Sequence, residues 1–284
     1  MKRIFVFFLI ICAIYLCITR IQFRSWSFFG NQTAKAAVNG NIERIHLNVS
    51  GANAVIIPEK TDQLQAELKG KGQVIVKQSG DRISVIYKRG WLNGFSFFDN
   101  AKLTILLPEN YSRDLSVDIG SGNVHFTGSP AKALKLNELI VEVRSGNLHL
   151  KNVRLNHFDQ HVLSGNARID SVMAKDGYFT VTSGNVTVNH YSGKIKAKVA
   201  SGHMKAQLDQ LIAPVDVRIS SGYAQLDLPE NADFRLDGTS SSGKIINKIP
   251  LANKQEDRHH LQGLSGSGKY GVSLNVSSGV IEVY

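Results

Sequence analysis

Two pairs of histidines have the residue type that could hold a metal ion. His125 and His149 follow two Ser-Gly dipeptides at the same distance, so neighbouring strands would place them about 5 Å apart. His259 and His260 are adjacent in a polar segment. A protein zinc site uses three or four ligands at characteristic spacings, and neither pair has a third one. The sequence therefore predicts no metal site and no cofactor.

Paired carboxylates that could act on a glycosidic bond are the next possibility. Asp170 and Asp227 share the sixth position after a Ser-Gly dipeptide, but three dipeptides separate them, or about 15 Å at strand spacing. Glycosidase carboxylates lie roughly 5 to 9.5 Å apart. No Gly-rich phosphate loop, nucleophile elbow or HExxH motif occurs either. The sequence predicts a protein that is not an enzyme.

One aromatic stretch is a candidate contact for a partner. Five bulky apolar residues surround Gly94 in it, namely Trp91, Leu92, Phe95, Phe97 and Phe98. They could form a binding loop. The alternative is a loop folded over the end of the core, because a soluble surface rarely leaves so large an apolar patch exposed.

A repeated Ser-Gly dipeptide must position His125, His149, Asp170 and Asp227. It recurs at intervals of 18 to 24 residues and once after 36, and a fixed period near 20 indicates a stacked repeat. The glycines of these predicted structural corners are Gly122, Gly146, Gly165, Gly184, Gly202, Gly222, Gly243 and Gly279.

The apolar pattern around each dipeptide predicts a bend in the chain. Apolar residues stand two before and three after the serine, and these positions cannot share a face on one unbroken strand. Glycine adopts positive φ cheaply and so allows the bend. The units are too short for helical crossovers, which predicts an all-β fold, a parallel β-solenoid (β-helix). Asparagines two residues after four successive serines predict a side-chain ladder: Asn123, Asn147, Asn166 and Asn185.

The N-terminus predicts one transmembrane helix. Lys2 and Arg3 precede an apolar run from Ile4 to Ile18, which favours an anchor over residues 1–24 with the C-terminal domain outside the cell membrane. A cleaved signal peptide is the alternative, with Ala34-Lys35-Ala36 as a distant cleavage site. Residues 25–41 are predicted to be a linker.

The remaining chain divides into two predicted regions. Short alternating runs over residues 42–112 predict an N-terminal antiparallel β cap that covers the open edge of the first coil. Residues 113–284 are predicted to form the solenoid, with a loop insertion near 250–269. The net charge of +10 favours anionic surfaces. No nucleic-acid motif is present, so we expect no nucleic-acid partner.

Two segments carry a family resemblance. They are Val49-Ser50-Gly51-Ala52-Asn53-Ala54 and Leu274-Asn275-Val276-Ser277-Ser278-Gly279-Val280-Ile281. Together with the Ser-Gly-Asn corners, they resemble a bacterial adhesin-like β-helix domain of unknown function over roughly residues 40–284. The resemblance implies a cell-envelope protein linked to an envelope-stress operon. It supplies no catalytic or binding residues.

Three functions remain open at the level of sequence. The favoured one is a non-enzymatic scaffold, tethered to the membrane, that contacts an anionic wall polymer or another envelope protein. The second is a β-helix enzyme that acts on polysaccharides. The third is an accessory partner of a membrane stress sensor.

Overall fold

The structure, a computed structural model, describes residues 31–89, 101–129 and 132–284. These residues form strands and their connections and contain no helix. The 22 strands within this part are β1 Gln32–Ala37, β2 Arg44–Asn48, β3 Ala52–Glu59, β4 Gln63–Lys69, β5 Gln73–Ser79, β6 Arg82–Lys88, β7 Lys102–Pro108, β8 Asp114–Ile119, β9 Gly122–Thr127, β10 Leu134–Val143, β11 Asn147–Val162, β12 Asn166–Val181, β13 Asn185–Val199, β14 His203–Gln210, β15 Val215–Ile219, β16 Tyr223–Asp227, β17 Phe234–Ser240, β18 Lys244–Asn247, β19 Ala252–Glu256, β20 His260–Ser265, β21 Tyr270–Val276 and β22 Val280–Val283.

The chain winds into a solenoid whose coils pair through parallel strands, as the spacing of the Ser-Gly dipeptides predicts. Segments that precede each dipeptide stack on one side, which we call the upstream face. Segments that follow it stack on a second side, the downstream face. A shorter third face runs from residues 134–136 through 153–155, 172–174 and 191–193 to β14.

The coils do not stack in chain order at either end. The last coil, β21 and β22, inserts between β15 and β16 on one side and β17 and β18 on the other. At the opposite end β2 and β3 insert between the coil of β6 and β7 and the coil of β8 and β9. The outermost coils are therefore not made by the termini of the solenoid region.

Antiparallel strands are confined to the ends of the stacks. β4 pairs with β7 and β1 pairs with β4, β5 pairs with β6, and β20 and β19 extend β17. The structure differs from the sequence interpretation in two regions. Within residues 42–112, β2, β3, β6 and β7 belong to the parallel stacks and not to an antiparallel cap, and the predicted loop insertion near 250–269 contains the hairpin β19–β20.

The glycines at the corners are required by close approach of neighbouring coils. Of the eight, only Gly122 has a positive φ, at 91°. A Cβ on Gly184 would lie 2.3 Å from the carbonyl oxygen of Gly165, and the same crowding recurs from coil to coil. The carbonyl oxygen of Gly165 also accepts a hydrogen bond from the backbone N–H of Asn185 at 3.0 Å. Glycine thus lets the corners stack at hydrogen-bonding distance.

A second corner follows seven residues after three of the serines. Asn152, Ser171 and His190 adopt left-handed φ values of 58°, 54° and 51°. Gly128 occupies the equivalent place in the preceding coil, where a Cβ would lie 2.0 Å from the Asn152 carbonyl oxygen. Asparagine and histidine adopt this conformation more often than most residues, whereas serine is uncommon in it.

The core consists of apolar columns with one side chain from each coil. Leu139 and Phe158 are fully buried register partners in one column. Phe179 belongs to the neighbouring column, and its ring contacts that of Phe158 edge to face at 5.5 Å. Gln160 is the one fully polar side chain buried within the described core. Its Nε2 donates to the Val141 carbonyl at 3.4 Å, and its Oε1 has no partner.

The predicted localisation needs correction. No helix among the described residues is long and apolar enough to cross a membrane, because this part of the chain is built from strands. The prediction of a single-pass membrane protein is contradicted by this finding and is withdrawn. The apolar run from Ile4 to Ile18, and the anchor at 1–24, lie outside the described residues.

Candidate binding face and groove

The predicted asparagine ladder is confirmed on the downstream face. Asn147 donates through Nδ2 to Asn123 Oδ1 at 2.7 Å, Asn166 donates to Asn147 at 2.9 Å, and Asn185 donates to Asn166 at 2.9 Å. All four side chains are exposed, and Asn53 stands in register with Asn123. Asn147, Asn166 and Asn185 each use one N–H in the ladder and have a second N–H for a ligand, whereas Asn123 only accepts in the ladder.

A second column of exposed and half-buried side chains runs beside the ladder, four residues after each serine. It contains His125, His149, Arg168, Thr187 and Lys205 in successive coils. The rings of His125 and His149 meet edge to face at 5.7 Å. Burial, together with the nearby His125 and Arg168, lowers the pKa of His149 from its ordinary value of 6.5. Neutral His149 is therefore the form that this column favours.

The two columns contain no carboxylate from the coil of Asn53 to the coil of Gln225, within the ranges described. We call them together the ladder face. Arg168 and Lys205 form no ion pair with any described residue, although Lys151 pairs with Asp170 at 3.5 Å farther along the same strands. The ladder face is thus a flat row of amide and cationic groups that repeats at about 4.8 Å, the spacing of paired strands.

A groove of about 560 Å³ opens on the third face. Its lining contains three cationic side chains, Lys135, Arg154 and Lys175, and no carboxylate. Met173 and Ile212 also line it, with 44% and 47% of their surfaces exposed. The volume falls in the range of small-molecule sites, about 300 to 1,000 Å³.

The structure does not bring the histidines together with further metal ligands. No group of three or more His, Cys, Asp or Glu side chains with metal-binding geometry occurs in the described ranges. His259 Nδ1 instead lies 2.8 Å from the Ser240 carbonyl oxygen, and His260 Nδ1 lies 3.4 Å from Asp257 Oδ1. These contacts account for the two adjacent histidines as parts of the hairpin β19–β20.

The predicted partner-contact residues Trp91, Leu92, Phe95, Phe97 and Phe98 lie outside the described residues. The corner glycines all lie within them and form the continuous stack described above. Sequence reasoning missed the third-face groove. One signal of the groove was available in the sequence. Ser183 and Ser201 are 18 residues apart, whereas the two intervals before them are 19 residues long, and this difference shortens one coil at the groove.

The comparisons agree with this geometry. The family model described as Toastrack DUF4097 matches residues 42–284. The chain belongs to this family. A putative adhesin from Parabacteroides distasonis is similar in structure, with a TM-score of 0.57 and 14% sequence identity over 90% of this chain and 98% of that one. A putative adhesin from Parabacteroides merdae has a TM-score of 0.52 and 12% identity over 89% of this chain and 96% of that one.

At these identities the two structures show that the Toastrack chain shares an adhesin-like β-solenoid fold. No curated protein matches the chain. The link to envelope stress that the sequence resemblance implies stays a prediction.

Proposed function

We propose that this Toastrack protein is a non-enzymatic scaffold of the cell envelope whose ladder face binds an extended anionic wall polymer. One observation carries the proposal. Four successive coils present a hydrogen-bonded amide row, Arg168 and Lys205 in the column beside it form no ion pair with any described residue, and neither column contains a carboxylate between Asn53 and Gln225.

The geometry suits a polymer better than a compact ligand. The four bonded asparagines span about 14 Å along the solenoid at strand spacing, and the second N–H of each amide can donate to a phosphate, carboxylate or hydroxyl oxygen. Each such contact is weak on an exposed surface, but repeated groups on one chain bind with high effective concentration. A long, flat and rigid face therefore gains affinity by the number of contacts.

The same face lacks the chemistry of an enzyme. Acid–base hydrolysis needs a pair of carboxylates beside the bound sugar, and the ladder face has none in the coils named above. Asp170, the nearest carboxylate on the same strands, is held by Ser171 and by Lys151. The names of the two similar structures, both putative adhesins, also favour binding over catalysis.

A direct binding measurement tests the proposal. Poly(glycerol phosphate), a linear polyanion, is titrated into the full chain by calorimetry at low and at physiological salt. Binding should be saturable, should weaken as salt screens the charges, and should fall at least fivefold in the variant Arg168→Gln/Lys205→Gln. The matched control is Lys196→Gln/Lys198→Gln on the upstream face, which removes the same charge.

The control separates a specific face from general attraction to a basic protein. Full affinity in the control and weak binding in the ladder-face variant support the proposal. Equal losses in both variants, or no saturable binding at low salt, would overturn it.

A further inference from the structure

A different surface of the molecule, the third-face groove, has the composition of a site for an amphiphile. It differs from the ladder face in shape, since it is concave, and in lining, since it combines cations with exposed apolar side chains. Nothing in the proposed polymer binding uses it.

Two cations in the groove face each other without compensation. Lys135 and Arg154 are register partners on adjacent parallel strands, and like charges directly opposite destabilise a sheet. Like-charged register partners also occur at Lys198 and Arg218, but there Arg218 pairs with Asp216 at 3.2 Å. At Arg44 and Arg82, Arg44 likewise pairs with Asp114 at 3.1 Å. The Lys135 and Arg154 side chains have no ion pair among the described residues, so a bound anion would relieve their repulsion.

A third cation is placed beside this pair by an irregularity of the coils. Ala174 pairs with Gly193 and Asp176 pairs with Lys194, so Lys175 is an extra residue relative to β13. Such a bulge re-aims a side chain, and Lys175 lines the groove. A Cβ on Gly193 would lie 1.8 Å from the Ala174 carbonyl oxygen, so only glycine permits the short coil to pack there.

The apolar half of the groove adjoins the cationic half. Met173 is the register partner of Arg154 on the next strand, and Ile212 lies in the same lining. They are two of the four large hydrophobic side chains that are exposed in the described ranges, the others being Ile57 and Leu163. Exposed apolar surface inside a concave site favours burial against a ligand.

We propose that the groove binds a single-chain anionic amphiphile, with its phosphate or carboxylate headgroup at Lys135, Arg154 and Lys175 and its alkyl chain against Met173 and Ile212. The headgroup meets three cations and no carboxylate of the lining, which gives electrostatic complementarity. The alkyl chain removes apolar surface from water on both partners.

The headgroup contribution is tested with dodecyl phosphate below its micelle concentration, titrated into the full chain by calorimetry. We expect saturable one-to-one binding that weakens at least tenfold in Lys135→Gln/Arg154→Gln. The matched control, Lys205→Gln/Arg168→Gln, removes one lysine and one arginine from the ladder face and should retain full affinity. Equal loss in the two double variants would overturn the proposal.

The alkyl contribution is tested with two further probes and a second pair of variants. Inorganic phosphate and neutral dodecyl maltoside should each bind at least tenfold more weakly than dodecyl phosphate. Met173→Ser/Ile212→Ser should weaken dodecyl phosphate at least fivefold, whereas Ile57→Ser/Leu163→Ser, which changes the other two exposed hydrophobic side chains, should not. If inorganic phosphate binds as tightly as dodecyl phosphate, the groove is a simple anion site and the proposal is contradicted. If dodecyl maltoside binds as tightly as dodecyl phosphate, the cations do not contribute and the proposal is also contradicted.

All four double variants change exposed side chains, so we expect each of them to fold with a melting temperature near that of the parent. A melting curve for each variant verifies this. The outcome is independent of polymer binding, because Lys135→Gln/Arg154→Gln leaves the ladder face unchanged and should bind poly(glycerol phosphate) normally.

Discussion

Replacing Gly184 by alanine tests whether the corner glycines are required by close packing. The added Cβ would lie 2.3 Å from the Gly165 carbonyl oxygen and 2.6 Å from Val162 Cγ1. Relief of the carbonyl contact needs a displacement of at least about 0.7 Å, which would stretch the 3.0 Å hydrogen bond from Asn185 N–H to the same oxygen past its useful range.

The expected destabilisation follows from these two effects. Overpacking in a close-packed site costs about 1 to 3 kcal/mol, and loss of one backbone hydrogen bond adds about 1 kcal/mol. We therefore expect Gly184→Ala to lower the free energy of unfolding by about 2 to 4 kcal/mol. Since neighbouring coils stabilise each other, the effect should spread to the coils on both sides.

Urea unfolding followed by circular dichroism measures this change. The control is Gly271→Ala on β21, where φ is not positive and a Cβ would meet no atom within 4 Å, and it should change stability by less than about 0.5 kcal/mol. If Gly184→Ala unfolds at the same urea concentration as Gly271→Ala, close approach of the coils is not what requires glycine at the corner.

Two further predictions concern the core and the downstream face. Gln160→Met should raise the free energy of unfolding by about 1 to 2 kcal/mol, because it removes a buried oxygen that has no hydrogen-bond partner; a lower melting temperature would contradict this. The pKa of His149 is lowered in the folded state, so the unfolded chain binds more protons as the pH falls below 6.5, and stability should decrease there. His149→Gln should make stability decrease less between pH 7 and 5, as measured by urea titrations. An NMR titration that gives His149 a pKa above 6.5 would refute the assignment.

The repeating part of the fold follows from the sequence because its signals are local. Each Ser-Gly dipeptide marks a bend, and the apolar residues around it alternate with the period of a strand. The ladder of Asn123, Asn147, Asn166 and Asn185 follows from the same alignment, because equal spacing in the chain becomes vertical stacking in a solenoid.

The order of the end coils could not be read from the sequence. The segments that contain Ser242 and Ser278 have the same local pattern as the others. No local signal therefore shows that the segment of Ser278 stacks between the coil of Ser221 and the segment of Ser242. That choice depends on long-range pairing of β21 with β15 and of β22 with β16. The hairpin β19–β20 explains the long interval between these serines.

The groove was missed for a related reason. Lys135, Arg154 and Met173 are ordinary exposed residues in the sequence, and they form one lining only after three coils stack. The second corner was missed because Asn152, Ser171 and His190 share a backbone conformation rather than a residue type. Glycine marks that corner only once, at Gly128.

Engineered disulfides can test the stacked solenoid and the out-of-order position of its last coil. Gln225 and Glu282 are register partners on adjacent strands, whereas Ile246 pairs with Glu282 on its far side, one coil beyond. In a background with Cys12 and Cys17 replaced by serine, Gln225→Cys/Glu282→Cys should oxidise readily, since strand spacing brings the Cα atoms within the disulfide range. Gln225→Cys/Ile246→Cys should stay reduced, because about 9.6 Å separates that pair. The opposite pattern would show that the coils stack in chain order and would contradict this structure.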